Sequence, residues 1–209
     1  MRKLAISITI IAAACLLVLA FVLEACSNGL TDLPIETIEW ADLPDGSTQF
    51  CTNNPEHYGW SFYLIEDSNH PDEYEIECKK ISGSADYGYG IIFGAKDIKN
   101  FYYIKIDVNG WFLVNKVVNG KLASPRIREW QKADPGQLAS GYNVVNAIKV
   151  IRTGSKYTIY FNGKKAWDFT DISDTSITGG DMLGFIADIG NKTNEKFPNK
   201  PVDVRFWFK

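Results

Sequence analysis

The stretch Phe101-Tyr-Tyr-Ile-Lys-Ile-Asp-Val-Asn-Gly110, followed at once by Trp111-Phe-Leu-Val-Asn-Lys-Val-Val-Asn-Gly120, decides how the chain reads. Ile104 and Ile106 alternate with Tyr103, Lys105 and Asp107. That period of two sends one set of side chains into a core and the other outward, as a half-buried strand requires. Each half ends in Asn-Gly, a pair that tolerates the positive φ angles of a tight hairpin turn. The segment therefore predicts Phe101–Asp107 and Trp111–Val118 as paired strands.

Outward in both directions the pattern repeats. Short β-type runs fall at Trp60–Ile65, Glu73–Ile81, Tyr87–Phe93, Lys121–Gln131, Val144–Arg152, Lys156–Phe161, Lys164–Phe169, Met182–Asp188 and Val202–Phe208. Asn162-Gly163 and Thr153-Gly154-Ser155 supply further reversals. The one helix-like run, Lys132–Leu138, is short and interrupted by Pro135. So many strands on one chain of 209 residues predict an all-β fold of two packed antiparallel sheets, with Phe185 and Trp207 in its core.

The bulk numbers narrow the functions. With 22 Lys+Arg against 25 Asp+Glu the net charge is −3, and removing Arg2, Lys3 and Glu24 leaves it acidic. A chain without a basic stripe excludes nucleic acid as a partner, because phosphate neutralisation dominates that affinity. Only two histidines, His57 and His70, are available, in polar contexts that do not fit zinc spacing.

At the N-terminus Met1-Arg2-Lys3 precedes an unbroken apolar run from Leu4 to Leu23, the form of a secretory signal. Leu23-Glu24-Ala25-Cys26 resembles a bacterial lipobox, although Glu24 departs from its usual small, uncharged residue. The resemblance implies cleavage before Cys26, lipidation of its thiol, and a lipid bilayer as partner. The run is also long enough to span a bilayer uncleaved, with Arg2 and Lys3 on the inside. Cys15 offers an earlier lipobox, but cleavage there leaves a greasy tail. Either way the rest faces the periplasm or exterior from the cell membrane or outer membrane. The expected organisation is a signal peptide at 1–25, a lipidated cysteine and tether at 26–44, and the sandwich at 45–209. Ile35–Trp40 also reads as a first edge strand.

Several segments in order carry a wider resemblance. They are Tyr89-Gly-Ile-Ile-Phe-Gly94, the Phe101–Gly110 strand, Asn146-Ala-Ile-Lys-Val-Ile-Arg-Thr-Gly154, Tyr157-Thr-Ile-Tyr-Phe-Asn-Gly163 and Leu183-Gly-Phe-Ile-Ala-Asp188. Together, over residues 59–208, they resemble the concanavalin A-like lectin/glucanase superfamily, in particular its laminin-G-like and keto-disaccharide hydrolase-like bacterial branches. The resemblance implies a jelly-roll sandwich. Its motifs mark turns and core positions, so function has to be read from a site.

Three sets of residues are candidates. Tyr103, Lys105 and Asp107 share a strand face, Trp111 follows across the turn, and Arg128 and Trp130 sit on another strand; together they can pave a carbohydrate-binding sheet. Glu73, Glu75 and Glu77 align three carboxylates on one strand face, where glucanases of the superfamily carry an acidic motif, though the same spacing describes a solvated face. The resemblance also implies calcium, with Asp168, Asp171, Asp174, Asp181, Asp188 and Asn191 as scattered oxygen donors in no regular spacing; otherwise no cofactor is expected. Cys51 and Cys78 can form a disulfide worth about 3 kcal/mol or remain separate thiols. The leading reading is a lipoprotein that binds glycan or another envelope ligand without catalysis. A glycoside hydrolase-like enzyme and a structural or protein-interaction module of the envelope are the alternatives.

Overall fold

A computed structural model describes residues 40–52, 59–65, 72–190 and 201–209. The apolar run Leu4–Leu23, Cys26, His57, His70 and Asn191 lie outside these residues. Every regular element among those described is a strand. In chain order they are β1 (Trp40–Asp42), β2 (Thr48–Thr52), β3 (Gly59–Ile65), β4 (Glu73–Ser82), β5 (Tyr89–Asp97), β6 (Asn100–Ile106) and β7 (Trp111–Val118). There follow β8 (Lys121–Leu122), β9 (Arg128–Lys132), β10 (Asn146–Thr153), β11 (Lys156–Phe161), β12 (Lys164–Thr170), β13 (Met182–Gly190) and β14 (Val202–Phe208).

They form two antiparallel sheets. One runs β1-β2-β14-β4-β10-β11-β12; the other runs β3-β13-β5-β6-β7-β8, with β9 also paired to β7. The chain crosses between sheets repeatedly, so runs of consecutive strands such as β5-β6-β7 and β10-β11-β12 alternate with neighbours drawn from far along the chain, such as β14 beside β2 and β4. Register holds each apolar row together. Ile148 faces Ile76 on one side and Phe161 on the other, while Val150 lies between Tyr74 and Ile159. These meet Tyr89, Ile91, Phe93, Ile104, Phe112 and Phe185 of the second sheet in one core. Each such side chain contributes about 1.5–3 kcal/mol by leaving water.

The turns show why sequence spacing alone was not enough. Asn119-Gly120 and Asn162-Gly163 both hold two positive φ angles and close two-residue hairpins. At Asn109-Gly110 only the glycine, with φ 78°, is left-handed. There Asp107 Oδ1 accepts the amides of Asn109 at 2.9 Å and Trp111 at 2.8 Å, and this carboxylate builds a wider loop. The expected strand Lys121–Gln131 is two short strands, because Pro125 between them has no amide for the ladder.

Other expectations are corrected. The sandwich takes in part of the segment read as tether, since the Trp40 ring lies 4.9 Å from Phe50 and packs on the core. Trp207 is not a core residue: Phe206 points inward, and Trp207 lies outside beneath Lys79. The Cys51–Cys78 bridge does not form. Cys51 on β2 and Cys78 on β4 are separated by β14, facing Asp203 and Phe206 respectively. Two strand spacings, about 9.5 Å, exceed the reach of a disulfide. Cys78 is a buried free thiol and takes part in no disulfide.

Candidate functional site

The two sheets treat their outer faces differently. On β4, Glu73, Glu75 and Glu77 point away from the core while Tyr74, Ile76 and Cys78 fill it. Lys149 bridges Glu73 and Glu75, and Lys209 meets Glu77 at 2.9 Å. Among the described residues these carboxylates form an outward row whose recorded ion pairs are with lysines, the arrangement of a solvated face.

The second sheet instead carries an apolar cluster on its outer side. Phe101, Tyr103, Leu113, Val117, Ile92 and Ile186 pack there, with Trp60, Phe62, Leu64 and Trp130 against them. Residues 101–107 are thus covered on both faces, and the expectation of one open face is corrected. Tyr103, Lys105 and Asp107 are only 3%, 7% and 7% exposed. Lys105 forms an ion pair with Asp188, and its ammonium lies 5.2 Å from the Tyr103 ring centre and 5.6 Å from that of Trp60. Buried and committed, Tyr103 and Lys105 support a surface rather than present one. Burial pushes the Tyr103 phenol up to about 12, so it stays neutral.

At one end of this cluster a pocket of about 230 Å³ opens between Asp86, Asp107, Asn109, Trp111 and Trp130. Three separate segments meet there: the 83–88 turn before β5, the Asp107–Gly110 loop after β6, and β9. Trp111 is 41% exposed, set at the mouth of the loop that Asp107 organises. Trp130 lies over Gly88, where a Cβ would come within 2.9 Å of the indole and 2.8 Å of Lys105 Cβ. Gly88 is therefore a close-approach position, and its amide donates to Asp188 Oδ2 at 3.1 Å. Asn109 Nδ2 lies 3.4 Å from Asp86 Oδ1. Burial raises the Asp107 carboxyl above its ordinary range, against the pull of the Trp111 and Asn109 amides.

The structure thus brings together Asp107, Trp111 and Trp130 from the expected set. It removes Arg128, whose guanidinium stacks 4.9 Å from the Trp167 ring centre on β12 and bonds Gln131. Asp86, Gly88 and Asn109 were missed as site residues. The signal for Asp86 and Gly88 was the turn-rich Gly83-Ser-Ala-Asp-Tyr-Gly88, and for Asn109 the Asn109-Gly110 pair, neither of which hints at which other turn it would join.

Larger concavities of about 360 and 280 Å³ flank the 174–179 loop at another end. Their chemistry is poorer. The only ring lining either, Tyr157, is buried, and Arg152 is held by Asp72 at 3.1 Å and the Gly180 carbonyl at 2.6 Å. Calcium has no gathered ligand set either: among the described residues no three acidic, His or Cys side chains converge. Asp168 pairs with Lys165, Asp188 with Lys105, and Asp171 with Lys116 at 2.6 Å. Burial works to raise Asp171, but the bonds from Lys116, Ser173 and Tyr102 outweigh it and hold the carboxyl below the ordinary range.

No protein-family model and no curated protein matches the chain. Solved structures do. A carbohydrate-binding module, CBM66 from Bacillus subtilis, superposes with TM-score 0.56 at 20% identity over 80% of this chain and 87% of that one. A structure described under endo-acting O-glycanases of human gut bacteria gives 0.54 at 11% identity, covering 84% of this chain and 81% of that one. A glycosidic hydrolase gives 0.53 at 13%, covering 81% and 78%. The sandwich is concanavalin A-like.

Proposed function

We propose that the protein is an exported, membrane-anchored carbohydrate-binding module whose sandwich takes a glycan in the Trp111–Trp130 pocket without cleaving it. The observation that carries this reading is the exposed indole of Trp111 beside Trp130, ringed by Asp86, Asp107 and Asn109. A pyranose presents an apolar face to stack on an indole and a rim of hydroxyls that need acceptors and donors. The pocket offers both within one small volume. Likeness to a carbohydrate-binding module over most of both chains supports it.

The pocket's two acids do not suit hydrolysis. One oxygen of Asp107 already accepts two backbone amides, which ties that carboxylate to the turn. A retaining mechanism needs one acid free to protonate a leaving group and another free to attack.

A glycan array probed with the full chain in detergent micelles tests the reading. The expected result is binding to at least one glycan class, weakened roughly 30-fold or more by Trp111→Ala, the scale of a central aromatic contact. Silence across the array, or release of shorter sugars from a bound glycan, overturns it.

The anchor is proposed as a lipid on Cys26. Palmitate incorporation lost in Cys26→Ser and kept in Cys15→Ser is the expected outcome. A thioether and a disulfide are exclusive fates of one sulfur. Recovery of a Cys26–Cys51 disulfide peptide under non-reducing conditions would therefore rule the anchor out.

A further inference from the structure

Lys80 occupies a core position. It continues the inward row of Tyr74, Ile76 and Cys78 on β4, faces Val204 of β14, and is fully buried. A hydrocarbon side chain would fill that place without the cost of desolvating a charge. Among the described residues Lys80 forms no ion pair. Its ammonium instead donates to two main-chain carbonyls, Ser84 at 2.6 Å and Tyr87 at 2.7 Å. Both belong to the 83–88 turn that carries the chain from one sheet to the other, and Asp86 stands between them.

We propose that Lys80 is the positioning residue of the pocket: its ammonium gathers the Ser84 and Tyr87 carbonyls, fixes the 83–88 turn, and so sets Asp86 and Gly88 against Trp111 and Trp130. The rest of the turn is secured from outside. Tyr142 donates to the Gly83 carbonyl at 2.6 Å, and Asp188 accepts from the Gly88 amide and donates its own amide to the Gly88 carbonyl at 2.8 Å. The middle of the turn, which bears Asp86, is held by Lys80, and the Tyr87 carbonyl it gathers shares one peptide plane with the Gly88 amide, so the bond of that amide to Asp188 depends on Lys80 as well. The inference uses the glycan reading only for what the pocket holds.

The hold is sensitive to pH. Burial lowers the Lys80 ammonium from 10.5 to about 8, against the fields of Asp188 on β13, Asp107 after β6 and Asp86 in the turn itself. Cys78 and Tyr89, packed beside it, are pushed well above their ordinary values by burial, and Tyr142 is raised too, so all three stay neutral in that range. The signs of the two consequences are opposite. Because the folded value lies below the unfolded one, the unfolded chain binds more protons between them, and Lys80 adds to global stability as pH rises from about 8 towards 10.5. Over the same range the charge-assisted bonds to the turn weaken.

Amide hydrogen exchange on the full chain in micelles, read as protection factors to remove intrinsic base catalysis, tests the proposal without any sugar. Between about pH 7 and about pH 9.5 the Gly88 amide of the wild type should lose roughly tenfold in protection, the scale of one bond to a charged group. Amides in the centre of β10 should not lose protection. Lys80→Met should show the low value already at pH 7 and no further change. A flat wild-type profile at Gly88, or full protection in a folded Lys80→Met, would overturn it. If Lys80→Met does not fold, the wild-type profile decides alone. A silent glycan array leaves this result standing, and a flat exchange profile leaves a positive array standing.

Discussion

The outer faces of the two sheets begin from the same sequence pattern and end in opposite states. On β4 the outward residues are Glu73, exposed, and Glu75 and Glu77, half-buried, all paired with lysines. On β6 the outward residues Phe101, Tyr103 and Lys105 lie beneath Trp60, Phe62 and Trp130. Alternation says only that two faces differ. Whether the second face stays wet depends on what a neighbouring strand or loop lays over it. Here the covered face ends in a pocket.

Substitutions on the two faces put this contrast to measurement. The largest effect belongs to Phe101→Ala, which empties a fully buried site on the outer cluster. About 3–5 kcal/mol of unfolding free energy should be lost in denaturant titrations. A loss near 1 kcal/mol would mean that this face is open to water. Next is Gly88→Ala, whose methyl group meets Trp130 and Lys105. It should destabilise by about 1–3 kcal/mol and shift Trp130 emission, as overpacking does; an unchanged protein would mean that Trp130 does not rest there. Trp111→Ala should cost about 0.5 kcal/mol or less in stability, being a surface change. Set beside the loss of glycan binding expected above, that separates a ligand contact from a core residue. Smallest is Glu75→Gln on the wet face, where the 3.3 Å contact with Lys149 is partly open to solvent. A change under about 0.5 kcal/mol, fading in high salt, is expected, and a large one would mean that the Glu row is structural.

The turn before β5 sharpens the same contrast. Burial of Lys80 brings a charge into the core row of β4, the very strand whose outer side is solvated. One strand therefore serves two environments, and its inward lysine reaches the turn that carries Asp86 to the pocket. With Glu73, Glu75 and Glu77 on one face, alternation puts Tyr74, Ile76 and Cys78 on the other, and a lysine in the next inward place looks like the end of that buried run.

Much of the site was half legible. Trp111 and Trp130 could be named because few tryptophans lie next to turn signals, and Asp107 because it ends an alternating strand. Arg128 could not be told from them, since its direction depends on a Trp167 contributed by the other sheet. Asp86 and Asn109 read as ordinary turn residues. Nothing local says that their two turns meet. The bridge between Cys51 and Cys78 failed for a related reason: β14, drawn from the far end of the chain, lies between them.

By itself the sequence determined the local matters: strands from a period of two, most reversals from Asn-Gly and Gly-Ser, an acidic net charge, and an apolar run near the N-terminus. These follow from forces acting over a few residues, namely backbone sterics, side-chain alternation and charge. Only the tertiary structure decided which outward face is covered, which ammonium is buried, and which loops share an end of the sandwich. Those outcomes depend on contacts between residues far apart in the chain, and each crossing between sheets resets which segments become neighbours.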